Sequence, residues 1–168
     1  MLEIDRTMEP NEDAAVLIGE LEAMLAAEYP AEPRHGLSLK EIFQPHIRFS
    51  MTRLDRGLVG CAGVALFPEF AEVKRVYVRQ MARGRGVAQA LIGRIEAETR
   101  PAGLALLRLE TGTEQHAAMR LYEKAGFRRF EAFHPYAATR PETIAGSAFY
   151  EKVLTIAEPP SAPAGRAA

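Results

Sequence analysis

The sequence predicts a mixed α/β domain, a mostly antiparallel sheet flanked by helices. Three observations predict it: seven short runs that read as strands, four segments with helical spacing between them, and a glycine-rich loop leading from one strand into a helix. With 168 residues the chain is one domain by length and large enough to bury a core without staples. Its hydrophobic content of 48% and charged content of 26% are ordinary for a globular protein. A net charge of −1 gives no general attraction to nucleic acid or to an anionic membrane.

Residues 2–8 read as a short edge strand. Asn11 is placed to cap a helix in which Ala14, Leu17, Ile18, Leu21, Met24 and Leu25 share one side, ending near Tyr29-Pro30. Residues 29–37 are punctuated by Pro and Gly and form a loop, after which Ser38 caps a short helix through Phe43. Ile47, Phe49 and Met51 alternate with polar residues, Asp55-Arg56-Gly57 supplies a turn, and residues 58–67 return as a second strand of the hairpin. Pro68-Glu69 turns the chain into a further strand, residues 72–78. Beyond the loop, Val87, Ala88, Leu91, Ile92 and Ile95 line a helix that Pro101-Ala102-Gly103 terminates. Residues 104–110 form the next strand. Thr113 caps a helix with Ala118, Leu121, Tyr122 and Ala125 on one face, and Gly126 occupies a left-handed C′ position. Residues 127–133 and 148–154 are the last strands, joined by a long loop. Domain bounds of 1–155 follow, with residues 156–168, rich in Pro and Ala, expected to be disordered.

The loop between residues 78 and 88 carries the chemistry. Small residues let a backbone approach an anion, the following helix aims unpaired N–H groups at it, and Arg83 and Arg85 add fixed charge. A Walker loop is excluded, because no Gly-x-x-x-x-Gly-Lys-Ser/Thr occurs. A dinucleotide fingerprint, with Glu110 as ribose-binding acid, is the weaker alternative: Gln89 replaces its third glycine, the turn is too long, and the preceding strand carries Glu72, Lys74 and Arg75. The four histidines show no ligand spacing, so no metal site is expected. Cys61, the single cysteine, reads as a packed core thiol. The first residues lack a basic flank followed by an apolar run, and no stretch approaches a membrane span, so a cytoplasmic location is expected.

Arg83-Gly84-Arg85-Gly86-Val87-Ala88, followed by Leu121-Tyr122-Glu123-Lys124-Ala125-Gly126-Phe127 in a later helix, resembles the paired signature of the GNAT superfamily of N-acetyltransferases. Residues 72–78 and Leu109-Glu110-Thr111-Gly112 are similar to bacterial small-molecule members. The resemblance implies a bent sheet of six to seven strands with about four helices, its fourth and fifth strands splayed around acetyl-CoA. It further implies that the backbone of Val76, Tyr77 and Val78 pairs with the pantetheine arm. The N–H groups of Arg83, Gly84, Arg85, Gly86, Val87 and Ala88 hold the pyrophosphate. Gln115 stands where the family often has an Asn touching the arm.

Catalytic roles follow from the same resemblance. Tyr122, a phenol of pKa about 10 against about 8.5 for a thiol, donates to the leaving thiolate; its bland alternative is a packed aromatic. Glu72 is the expected base, against the alternative of a solvated charge paired with Lys74. The Val78 N–H polarises the thioester carbonyl. Tyr29, His35, Phe133 and Tyr136 are nominated for the acceptor, a small-molecule amine, with loop anchoring as their alternative. Members of the family are often dimers, and a free edge near residues 2–8 or 148–154 offers a place for a second copy. A coenzyme A-binding regulatory module without transfer is the other functional reading.

Overall fold

Asp55 and Arg56 both adopt positive φ, 49° and 71°, which is the requirement of a two-residue turn matched to the twist of a hairpin. They join β2 (Ile47–Leu54) to β3 (Gly57–Leu66), and β1 (Leu2–Thr7) pairs antiparallel along the other side of β2. β4 (Ala71–Val78) runs antiparallel to β3 and parallel to β5 (Leu106–Gly112). β7 (Ser147–Val153) lies between β5 and the short β6 (Arg128–Phe130), both antiparallel to it. The computed structural model describes residues 1–30 and 35–156, and in it these strands form one sheet in the order β1-β2-β3-β4-β5-β7-β6.

Three α-helices flank it: α1 (Glu12–Glu28), α2 (Val87–Thr99) and α3 (His116–Lys124). The Asn11 side chain accepts from the Ala14 N–H at 2.9 Å, as an N-cap should. Ala14, Leu17 and Ile18 of α1 pack with Phe49, Met51 and Cys61 on one face of the sheet. Leu91, Ile92 and Ile95 of α2 cover the opposite face with Val59, Val64, Val73 and Leu107. Side-chain alternation along β3 sends Cys61 to the first layer and Ala62 and Val64 to the second, so one strand serves both cores.

Several sequence expectations are corrected. The fourth helix is a single 3-10 turn, Glu41–Phe43, though Ser38 and Glu41 do form the reciprocal cap, with N–H to Oε2 at 2.7 Å and N–H to Oγ at 3.3 Å. Thr113 does not cap α3; the N-cap is Gln115, without a side-chain cap bond. β5 begins two residues later than expected, and β6 is three residues long and leaves out Phe133. β7 is not an edge, because β6 covers it; the edges of the sheet are β1 and β6. The expected tail lies outside the described residues from 157 onward. No helix among the described residues is long and apolar enough to cross a membrane.

Candidate active site

β4 and β5 pair only at Ala71 with Leu107 and at Glu72 with Arg108. Past that point they diverge, leaving residues 73–78 of β4 without a partner on the β5 side. Between the pairs Cys61–Tyr77 and Gly63–Lys74, β4 carries one residue more than β3, a bulge that contains Arg75 at a φ of 55°. Such a conformation is strained for a residue with a side chain, and the surroundings hold it. The Arg75 Nε donates to the Leu37 carbonyl at 2.7 Å and its Nη2 pairs with Glu22 of α1. A Cβ at position 36 would lie 2.3 Å from Arg75 Nη1, so a side chain there would displace the guanidinium.

The divergence opens a cavity of about 660 Å³, within the usual range for small-molecule sites of about 300–1,000 Å³. At one end lie Arg83, Gly84, Gly86, Val87 and Ala88. Gly84 and Gly86 have φ of 74° and 79° with open space around a virtual Cβ, so backbone conformation rather than crowding demands glycine. Gly86 caps α2 without a side-chain bond, which leaves the first N–H groups of that helix for an anion. Arg85 does not line the cavity; its charge instead helps hold the carboxyl of Asp55 below its ordinary range, after the chain's amino terminus.

Val76, Tyr77 and Val78 form one wall midway along, with Gln115, Ala118 and Tyr122 of the α3 segment opposite. Gln115 accepts from the Thr111 hydroxyl at 3.3 Å. The Tyr122 ring is 7% exposed, and its hydroxyl makes no hydrogen bond among the described residues. Burial, and then the charge of Glu110, push its phenol above the ordinary value, so it is protonated at neutral pH and faces the cavity as a donor.

Tyr29, His35, Glu72, Lys74 and Glu110 line the far end. Glu72 is 1% exposed, which excludes the solvated-charge alternative. Its Oε1 accepts from Lys74 Nζ at 2.8 Å and from the Tyr136 hydroxyl at 2.6 Å, and Lys74 also donates to that hydroxyl at 2.8 Å. Glu110 accepts from the Ser147 hydroxyl at 2.9 Å. Burial pushes its carboxyl above the ordinary range, Glu72 adds to this, and the Ser147 bond, His35 and Lys74 oppose it. The Nε2 of His35 is buried and has no hydrogen-bond partner among the described residues.

Two of the residues nominated for the acceptor, Phe133 and Tyr136, lie outside the cavity lining. Phe133 does not line the cavity: it packs in an aromatic cluster, with ring centroids 5.5 Å from Phe70, 5.2 Å from Tyr136 and 5.6 Å from Phe149. Tyr136 belongs to the same cluster and acts only through the hydroxyl held by Glu72 and Lys74. Sequence reasoning gave neither Glu110 nor Lys74 a place at the acceptor end. The available signal was an acid placed among leucines in the strand that faces the loop.

The donor set fits acetyl-CoA. An open strand edge suits an amide-bearing arm, a helix N-terminus with two left-handed glycines suits a diphosphate, and a buried phenol suits a leaving thiolate. The family model for the GNAT acetyltransferases matches residues 18–127. An IAA acetyltransferase of Azospirillum brasilense is 43% identical over 148 residues, which cover 86% of this chain and 94% of that protein. A solved structure from Klebsiella pneumoniae, described as an acyl-CoA N-acyltransferase, is 30% identical with a TM-score of 0.73 and covers 92% of this chain and 99% of its own. The PaiA N-acetyltransferase of Thermoplasma acidophilum, solved with coenzyme A, is 14% identical with a TM-score of 0.66, covering 91% and 99%, and shares the fold. Splayed strands, phosphate loop and buried phenol converge with this kinship, and the chain belongs to the GNAT family as an acetyltransferase that uses acetyl-CoA.

Proposed function

We propose that this enzyme transfers the acetyl group of acetyl-CoA directly to a primary amine of a small molecule, with both substrates bound at once. One observation carries the reading: a single cavity runs from the phosphate loop, past Tyr122, to a buried end that holds two carboxylates. An acidic, enclosed end attracts an ammonium and supplies the proton acceptor that its activation needs. A carboxylate acceptor, by contrast, would face Glu72 and Glu110, with Lys74 committed to Glu72 and Arg75 to Glu22.

In this reading the N–H groups at the start of α2, with Arg83, hold the diphosphate, and the free edge of β4 holds the pantetheine. Val78 offers its N–H to the thioester carbonyl. Tyr122 protonates the departing sulfur. Gln115 supports the arm from the start of α3, and Tyr29 and His35 border the acceptor.

The test is a panel of small amines with acetyl-CoA, following free thiol and acetylated product together. Matched thiol and acetyl-amine formation is expected for at least one amine. Coenzyme A binding without transfer to any amine would instead favour a regulatory module.

A further inference from the structure

Resting on the amine-transfer reading, we propose that the acceptor ammonium is received by a subsite of Glu110 and His35, in which Glu110 takes the proton and His35 orients the acceptor. Sequence alone points to Glu72 for this role. The geometry disfavours it: one oxygen of Glu72 is shared by a lysine ammonium and a tyrosine hydroxyl, both donating. That oxygen is therefore already occupied by two donors from within the fold. The evident task of Glu72 is to neutralise Lys74 and fix Tyr136, as a buried cation requires.

Glu110 differs on each count. It stands on β5, across the cleft from β4, and lines the cavity. Its described hydrogen bond is to one neutral hydroxyl, that of Ser147 on β7. It shares the cavity with Tyr122, whose phenol burial and then the charge of Glu110 hold above its ordinary value. The groups that face it are Ser147 of β7, His35 of the loop after α1, Lys74 and Glu72 of β4, Tyr122 of α3 and Tyr136 of the loop before β7. Burial dominates this set and makes Glu110 a stronger base than an exposed glutamate.

His35 completes the subsite. It lines the same cavity, and its ring stands edge-on to Tyr136 with centroids 5.5 Å apart. A buried ring nitrogen without a partner is costly, and a bound acceptor would satisfy it.

The proton count closes. Glu110 takes one proton from the ammonium, the nitrogen lone pair forms the N–C bond, and the C–S bond pair departs on sulfur, which Tyr122 protonates. The second proton shed by nitrogen restores the phenol. Glu110 then returns its proton to solvent, so one proton is released per acetyl group transferred.

The experiment is the pH dependence of kcat for wild type and for Glu110→Gln, Glu72→Gln, Ser147→Ala and His35→Gln, with any amine that the panel shows to be acetylated. Wild-type kcat falls as pH drops through the raised pKa of Glu110. Glu110→Gln should lose that acidic limb and at least about 10²-fold in kcat while binding coenzyme A normally, whereas Glu72→Gln should keep the limb. Ser147→Ala and His35→Gln each remove an influence that lowers the Glu110 pKa, so both should move the limb to higher pH, and His35→Gln should also raise the acceptor KM. A limb that persists in Glu110→Gln overturns the proposal. If that variant does not fold, an unmoved limb in both Ser147→Ala and His35→Gln overturns it equally. Absence of amine acetylation by wild type would refute the parent reading instead.

Discussion

Replacing Gly60 by alanine puts a methyl group against the backbone of β4. Gly60 pairs with Val78, and a Cβ there would lie 2.5 Å from the Tyr77 carbonyl oxygen, 3.3 Å from Thr52 Cγ2 and 3.4 Å from Val78 Cα. Two of these atoms belong to the backbone of β4, so relief requires the strands to separate. Overpacking of this kind costs about 1–3 kcal/mol, offset by about 0.4–1 kcal/mol from the stiffer unfolded chain, for a net loss of about 1–2 kcal/mol. At roughly 2–4 °C per kcal/mol for this chain length, Tm falls by about 2–8 °C. Gly93, on an exposed turn of α2 with nothing within 4 Å of a virtual Cβ, provides the opposite sign. Gly93→Ala should add about 0.5–1 kcal/mol of helix stability and raise Tm by about 1–4 °C. Scanning calorimetry of the two variants reads both effects. An unchanged or higher Tm in Gly60→Ala would refute the close-approach argument, and a lower one in Gly93→Ala would refute the reading of α2.

Tyr122→Phe should lower kcat by roughly 10²- to 10⁴-fold with the coenzyme A Kd nearly unchanged, as measured by calorimetry and steady-state assay; near-normal turnover removes Tyr122 from the mechanism. Arg83→Ala should weaken coenzyme A binding by about 10- to 100-fold, the worth of one charge-assisted hydrogen bond, whereas Arg85→Ala should change it by no more than about 2-fold. Equal losses in both would show that Arg85 reaches the ligand from outside the cavity. The Cys61 thiol, fully buried and pushed up to about 12 by burial, should resist alkylation at neutral pH in the folded protein and react promptly in denaturant. Similar rates in the two states, followed by mass spectrometry, would contradict that burial.

What the sequence determined by itself was local. Asn11 as cap, Asp55-Arg56 as a turn, the glycine-rich phosphate loop and the apolar stripe of α2 each depend on neighbours within about one helical turn. Such signals survive in a linear string because the interactions that reward them are short-range. The Tyr122 motif was legible for the same reason. Tertiary structure alone decided where β4 and β5 part, that β7 enters between β5 and β6, and that Phe133 lies behind the site instead of within it. It also decided the standing of the two carboxylates. Tyr136 lies 64 residues from Glu72, and Ser147 lies 37 from Glu110. A carboxyl's proton affinity is set by burial and by whatever charges and hydroxyls the fold brings within a few ångströms, and these pairings are made across the sheet rather than along the chain.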